Sequence, residues 1–103
     1  IIMSDTPKNI GCTAGGFTQL SVAHDATSNA PYLGFETEAV FVDIGDNDVF
    51  VTFHGTGDPS ATNGHVLYQG KDYIFYAGLF KTAQFRSVAG TAKVNITQLN
   101  GYV

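Results

Sequence analysis

The feature that most constrains this 103-residue chain is a strand pattern that runs directly into a long turn pattern. From Val49 to His54, β-branched and aromatic residues alternate in a way that predicts a β-strand ending at Gly55. Residues 55–64, GTGDPSATNG, are types that favour positive φ, a fixed proline φ or side-chain to backbone hydrogen bonds. A strand that feeds a surface loop indicates an all-β domain, and no residue in this stretch indicates a reaction.

Similar strand patterns recur along the chain, with turn residues between them. The predicted strands are Phe17–His24, Ala39–Ile44, Val49–His54, His65–Gln69, Tyr73–Ala77, Gln84–Val88 and Ala92–Thr97. Turn signals at intervals of about 8–12 residues are typical of a β-sandwich or jelly roll. No segment keeps a 3.6-residue apolar period, so we expect at most one short helical turn.

The predicted fold is therefore all-β. We expect a single-domain β-sandwich, jelly-roll or Ig-like, with seven or eight short antiparallel strands over residues 17–103. Residues 1–16 are polar and glycine-rich and are predicted to form an extended N-terminal arm.

The turns, and the alternation within the strands, predict how some strands pair. Four turn residues, Gly45–Asp48, separate two strands and predict a β-hairpin. A second hairpin is predicted around Ala89–Thr91, and in its second strand Val94 and Ile96 are expected to face inward and the alternate residues outward. The strand at 17–24 is weakly apolar and is predicted at a sheet edge. The strand at 73–77 is apolar on both faces and is predicted at a sheet centre.

The low charge content limits the classes of partner. Hydrophobic residues make up 44% of the chain and charged residues 14%, which suits one globular domain with part of its surface buried against another molecule. Eight of the nine acidic residues precede residue 59, and four of the five basic residues follow it. The two halves could attract each other between copies, but interleaving within one sandwich is the favoured interpretation. A net acidic chain without a Lys/Arg cluster argues against nucleic-acid binding.

Targeting signals and cysteines are sparse. No apolar run approaches the roughly 18 residues that a membrane helix needs, and the N-terminus lacks the basic and apolar regions of a signal peptide. We therefore expect no membrane association and no export by a signal peptide. Cys12 is the only cysteine, so no intrachain disulfide forms and a reducing compartment is indicated. It has no fixed histidine partner, and a nucleophilic role is not expected.

Two groups of residues have the chemistry of metal ligands. Asp43, Asp46, Asn47 and Asp48 carry oxygens of the kind that calcium takes, but their spacing does not match the EF-hand loop, and a tight turn selects the same residue types. The three histidines lie far apart in the sequence. Two of them flank the 55–64 loop, yet hydrogen-bonding roles at strand ends are favoured over a zinc site. We expect no metal and no cofactor.

Catalytic motifs are not recognisable. The glycines of the 55–64 loop do not make a phosphate-binding loop, because Gly64 is followed by His65 and a strand rather than by Lys, Ser or Thr and a helix. A Gly-x-Ser-x-Gly nucleophile motif does not occur either. Aromatic residues make up 13% of the chain and could line a sugar-binding face, but most occupy positions that core packing explains. An enzyme is not expected.

Two stretches carry a resemblance to a known class of protein. Residues 49–67, VFVTFHGTGDPSATNGHVL, and residues 85–97, FRSVAGTAKVNIT, resemble small all-β virion proteins of tailed bacteriophages. The resemblance implies a structural protein without catalytic residues, a capsid decoration or cement subunit on the outer surface of the virion. It also implies the major capsid protein as partner, and a homo-oligomer, either dimer or trimer.

Contact residues follow from the resemblance. In such a protein the N-terminal arm and the long loop would reach neighbouring subunits. The expected partner-binding residues are Thr6, Pro7, Asn9, Ile10, Thr56, Asp58, Pro59, Asn63 and His65. The alternative is a head-tail, neck or fibre-associated binding module, which would contact a host surface glycan through residues 56–65 and exposed tyrosines.

Overall fold

The computed structural model describes residues 12–102, with side chains for residues 15–100. Within this range the chain forms eight strands and one short helix. They are β1 (Cys12–Ala23), β2 (Ser28–Asn29), β3 (Thr37–Gly45), β4 (Val49–Thr52), β5 (His65–Leu67), β6 (Asp72–Tyr76), α1 (Ala77–Phe80), β7 (Gln84–Ser87) and β8 (Thr91–Tyr102). The all-β class, the strand number and the single helical turn are confirmed. The short β2 lies in a segment that was expected to be loop.

The strands form two four-stranded antiparallel sheets that pack face to face. Sheet A has the order β1-β8-β3-β6, and sheet B has the order β2-β7-β4-β5. In each sheet, strands from the two ends of the chain alternate, which is the order of the double Greek-key jelly roll. Of the two sandwich types expected from the sequence, the chain adopts the jelly roll.

Both predicted hairpins are wrong, because each predicted partner lies in the other sheet. β3 is in sheet A and β4 in sheet B, and β7 and β8 are divided in the same way. Residues 45–48 form a corner between the sheets. The Val88 N–H donates to the Asp48 carbonyl over 2.9 Å, and the Gly70 N–H donates to the Ile44 carbonyl over 2.8 Å. Four turn residues can connect two strands of a hairpin or two strands in different sheets. The local sequence therefore does not distinguish these two kinds of connection.

The strand positions agree with the sequence in one case and not in another. β1 is an edge strand of sheet A, as predicted, whereas β6 is the opposite edge and not a central strand. β6 is apolar on both sides for a different reason. Tyr73 and Phe75 pack against the core, while Ile74 and Tyr76 face outward, and Tyr76 is exposed.

The core lies between the sheets and is contributed by the alternate residues of the strands. Its fully buried members include Val22, Val40, Val42, Val49, Val51, Phe80, Phe85, Val94 and Ile96. Phe53, Phe75, Phe80 and Phe85 form a continuous row with ring centroids 5.6–5.9 Å apart. The inward orientation predicted for Val94 and Ile96 is confirmed.

Two further features of the fold concern the start of β1 and the ion pairs between the two halves of the chain. β1 begins at Cys12, so residues 12–14, predicted as part of the arm, pair with β8, and residues 15 and 16 form an irregularity in the strand. Asp46 lies 3.6 Å from Lys93, and Asp58 lies 3.7 Å from Arg86. Each pair joins an acid from the first half of the chain to a base from the second, so the halves interleave as favoured from the sequence. Within residues 12–102 no helix has the length and apolar content needed to cross a membrane.

Candidate interaction surface

The outer face of sheet A is divided into an apolar half and a polar half. Paired residues in antiparallel strands lie on the same face of the sheet. Because Val40, Val42 and Ile44 are buried in the core, the alternate residues of β3 face outward, and the strand register extends this assignment to the other three strands.

The apolar half consists of two adjacent rows across the strands. One row runs Phe17, Thr97, Phe41 and Ile74 through β1, β8, β3 and β6, and in the next row Ala39 lies between Tyr76 on β6 and the buried Leu99 on β8. We call Phe17, Ala39, Phe41, Ile74 and Tyr76 the aromatic patch. Phe17 is 64% exposed and Tyr76 is 82% exposed, at opposite edges of the sheet, and the three residues between them are half-buried. Apolar side chains that form a contiguous surface mark interaction sites more often than isolated ones do.

The polar half begins with the next row along the strands. Gln19, Asn95, Asp43 and Asp72 are in register across the sheet. The Gln19 Nε2 donates to Asn95 Oδ1 over 2.8 Å, and the Asn95 Nδ2 donates to Asp43 Oδ1 over 2.7 Å. The polar side chains of Gln19, Asn95 and Asp43 therefore satisfy one another's hydrogen-bonding groups along the surface. The aromatic patch therefore has a polar border on one side, as the apolar centre of a protein interface usually has.

The segment between β2 and β3 carries two further exposed aromatic residues. Tyr32 is 86% exposed and Phe35 is 93% exposed. The backbone that carries them is held in place, since the Gly34 N–H and the Thr37 hydroxyl both donate to Gln98 Oε1, over 2.8 and 2.6 Å. The segment enters β3 beside Ala39, at the end of sheet A where Tyr76 also lies. A fixed backbone presents both rings to solvent.

The 53–64 segment has a different character, because it closes over the outer face of sheet B. Thr52 faces outward from β4 but is buried, and its hydroxyl donates to the Gly57 carbonyl over 2.9 Å. Pro59 is also buried. Asp58 accepts from the Thr27 hydroxyl over 3.1 Å and lies beside Arg86, which faces outward from β7.

Positive backbone angles shape this segment. His54, Gly55, Gly57 and Gly64 have φ values of 58°, 65°, 105° and 111°. A Cβ added at Gly64 would overlap the backbone carbonyl oxygen of Val51, so only glycine fits there. The Asn63 Nδ2 donates to the carbonyls of Thr56 and Asp58 over 3.2 and 3.0 Å and ties the segment together.

The partner-binding residues predicted in the loop therefore differ in accessibility. Thr56, Asp58 and His65 are exposed, Asn63 is half-buried and Pro59 is buried. Asn63 and Pro59 hold the loop in shape. The four residues predicted in the arm, Thr6, Pro7, Asn9 and Ile10, lie outside the described residues.

The four residues considered for calcium each have a partner of their own. Asp43 accepts from Asn95, Asp46 pairs with Lys93, Asn47 donates to the Thr91 carbonyl over 2.9 Å, and Asp48 accepts from the Gln69 N–H over 2.8 Å. They fix the corner between the sheets and do not point to a common centre. Among the side chains of residues 15–100, no three from His, Asp or Glu come together as a metal site would require.

The histidines occupy separate positions. The ring of His65 lies 6.3 Å from that of Phe53, His54 is at the start of the long loop, and His24 Nδ1 lies 3.3 Å from the Gly90 carbonyl oxygen. His24 makes a contact of the hydrogen-bonding kind favoured from the sequence, whereas His65 packs against an aromatic ring.

Sequence reasoning missed the aromatic patch. It assigned the aromatic residues mainly to the core, and this is correct for Phe75, Phe80 and Phe85 but not for Phe17 and Tyr76. One signal was present. Phe17 alternates in step with Gln19 and Ser21, and residues two apart in a strand lie on the same face. This alternation indicates that its side chain lies on the polar, exposed face of β1.

Comparisons of the chain with protein-family models, curated proteins and solved structures found no match.

Proposed function

We propose that this chain is a structural virion protein, a capsid decoration or cement subunit that binds the major capsid protein through the aromatic patch on sheet A. The observation that carries the proposal is the combination of exposed Phe17 and Tyr76 with a polar border on the same face of sheet A. An apolar centre with a hydrogen-bonded rim is the composition of a protein interface.

Three further properties support a structural role. The sequence resembles small all-β virion proteins, the charge content is low for an exposed surface, and the jelly roll is an architecture that viral capsid domains use. Jelly rolls also occur in lectins and cupins, so the fold alone does not select a function. The mechanism proposed is burial: each subunit covers apolar area on the shell and so raises the temperature at which neighbouring capsid proteins separate.

The direct test is binding to purified particles that lack the chain. The test variant is Phe17→Thr with Tyr76→Thr, and the control is Tyr68→Thr with Val88→Thr, which changes two exposed apolar side chains outside the strands of sheet A. Burying each aromatic ring contributes about 1.5–3 kcal/mol, so the test variant should bind at least about 100-fold more weakly. The control should bind nearly as well as the natural chain. Equal binding by both variants would exclude the aromatic patch as the surface that binds the capsid protein.

The number of copies on the particle distinguishes positions within the virion. Quantitative mass spectrometry of purified particles would compare this chain with the major capsid protein. A number comparable with that of the capsid protein supports decoration of the whole shell. A small number indicates the neck or tail, and absence from the particle contradicts a virion role altogether.

A glycan-binding module of the neck or fibre is the second candidate function. The observation that favours it is the high exposure of Tyr32 and Phe35 on a fixed backbone, because sugar rings stack on accessible aromatic faces. Binding of the isolated domain on a glycan array, lost in Tyr32→Ala and kept in Phe17→Thr, would support this function over capsid binding.

A further inference from the structure

We propose that β1 pairs with β1 of a second copy, in antiparallel orientation, to form a dimer with one continuous eight-stranded sheet A. The starting observation is the contrast between the four sheet edges within residues 12–102. β2 has two residues and β5 has three, and the edge strand β6 has five and begins at Asp72 next to Lys71. Short strands, charged residues and β-bulges are the usual protection of sheet edges, and residues 17–23 of the twelve-residue β1 have no charge and no bulge.

The sequence of β1 offers a smooth edge for pairing. It reads CTAGGFTQLSVA and contains no charged residue and no proline. Its register shifts are confined to residues 12–17, and from Phe17 to Ala23 it pairs with residues 97–91 of β8 without interruption. Along this regular stretch, every second residue directs its N–H and C=O away from β8, toward the free edge. Seven residues of regular backbone are therefore available to a further strand.

A second copy is the partner that this edge fits. Charges directly opposite each other destabilise a strand pair when they are alike, and an uncharged strand avoids this cost when it pairs with itself. Antiparallel overlap of residues 17–23 over their full length places Leu20 on the two-fold axis and Gln19 opposite Ser21 of the other copy. Leu20 packs against the core but is only partly buried, so the second strand would cover it further. The other edges remain short or charged, which ends the assembly at two copies.

The arrangement has a consequence for the aromatic patch. A two-fold axis perpendicular to the sheet keeps the outer faces of both sheets on the same side, so the dimer would present two aromatic patches to one surface. Two linked contacts bind more tightly than one when both can engage. The pairing itself does not depend on the capsid assignment, and its test uses the isolated chain.

The experiment compares two variants that differ at one position. Gln19→Glu with Ser21→Glu places two like-charged pairs across the proposed axis, whereas Gln19→Lys with Ser21→Glu places two opposite-charged pairs there. Ser21→Glu faces Lys93 within the same copy in both variants, and circular dichroism checks that both are folded. Sedimentation velocity should show a dimer for the natural chain and for the Lys/Glu variant. The Glu/Glu variant should dissociate at least about tenfold more readily.

Several results would overturn the proposal. A natural chain that remains monomeric up to about 0.1 mM, equal dimerisation of both variants, or loss of the dimer in the Lys/Glu variant would each exclude this pairing. Hydrogen exchange gives a second measurement on the unmodified chain. Raising the concentration should slow exchange at every second amide from residue 17 to residue 23, and an unchanged pattern would contradict the proposal.

Discussion

Among the described residues, a folded loop segment covers part of the outer face of sheet B, whereas the outer face of sheet A keeps two exposed aromatic side chains. On sheet B, the segment after β4 folds back so that Thr52 and Pro59 are buried and Asp58 lies beside Arg86. On sheet A, Phe17 and Tyr76 remain exposed although they lie on regular strands. The contrast is one of cover. The outer face of sheet B carries apolar Phe50 and Val66 as well as Thr52 and Arg86, but the segment after β4 folds onto it.

The contrast separates residues that maintain the domain from residues available to a partner. From the resemblance, the long loop was expected to contact neighbouring subunits together with the N-terminal arm. Its hydrogen bonds instead hold it against β4, since Thr52 binds the Gly57 carbonyl and Asn63 binds two further carbonyls. The aromatic patch makes no comparable internal use of its exposed rings. If this assignment is right, changes on sheet B should alter stability, and changes in the aromatic patch should alter binding.

The largest effect on stability is expected at a glycine of the 53–64 segment, which lies over sheet B and depends on positive φ angles. Gly64→Ala adds a Cβ that collides with the Val51 carbonyl at a φ of 111°, and it should lower the free energy of unfolding by roughly 2–3 kcal/mol. Gly55→Ala is the control. Its φ is 65° and nothing lies near an added Cβ, so only the cost of the left-handed conformation, about 1 kcal/mol, is expected. Denaturant unfolding measures both, and equal losses would contradict a tight closure at Gly64.

A smaller effect on stability is expected from the Thr52 hydroxyl, which links β4 to the 53–64 segment. Thr52→Val keeps the shape but removes the hydrogen bond to the Gly57 carbonyl, and it should destabilise the domain by about 1 kcal/mol. The same substitution on the open face, Thr97→Val, falls in the apolar row and should change the free energy of unfolding by less than about 0.5 kcal/mol. A similar loss for both variants would remove the distinction between the two faces.

The sequence predicts local features of this fold better than it predicts which sheet a strand joins. Alternation along β8 correctly predicts that Val94 and Ile96 are buried, because strand periodicity alone determines which residues share a face. The predicted hairpins at residues 45–48 and 89–91 are both wrong. β3 pairs with β8, near the other end of the chain, and no local pattern records a partner so distant in sequence.

The candidate surface could be predicted only in part for a related reason. In β6, Tyr73 and Phe75 are inward and Ile74 and Tyr76 outward, yet both sets are apolar, so the pattern predicted a central strand. Only the complete sheet shows that β6 is an edge and that its outer side continues the row containing Phe17. An interface built across four strands is assembled from residues that are far apart in the sequence.

The smallest effect on stability should come from the aromatic patch itself. Phe17→Thr and Tyr76→Thr replace exposed rings with a residue that also favours strands, so each should change the free energy of unfolding by no more than about 0.5 kcal/mol. Phe85→Ala, in the core, should cost about 3–5 kcal/mol in the same assay. A ring that contributes little to folding and much to particle binding serves a partner. If Phe17→Thr unfolded the domain as Phe85→Ala does, the ring would belong to the fold, and the proposed interface would lose its main contact.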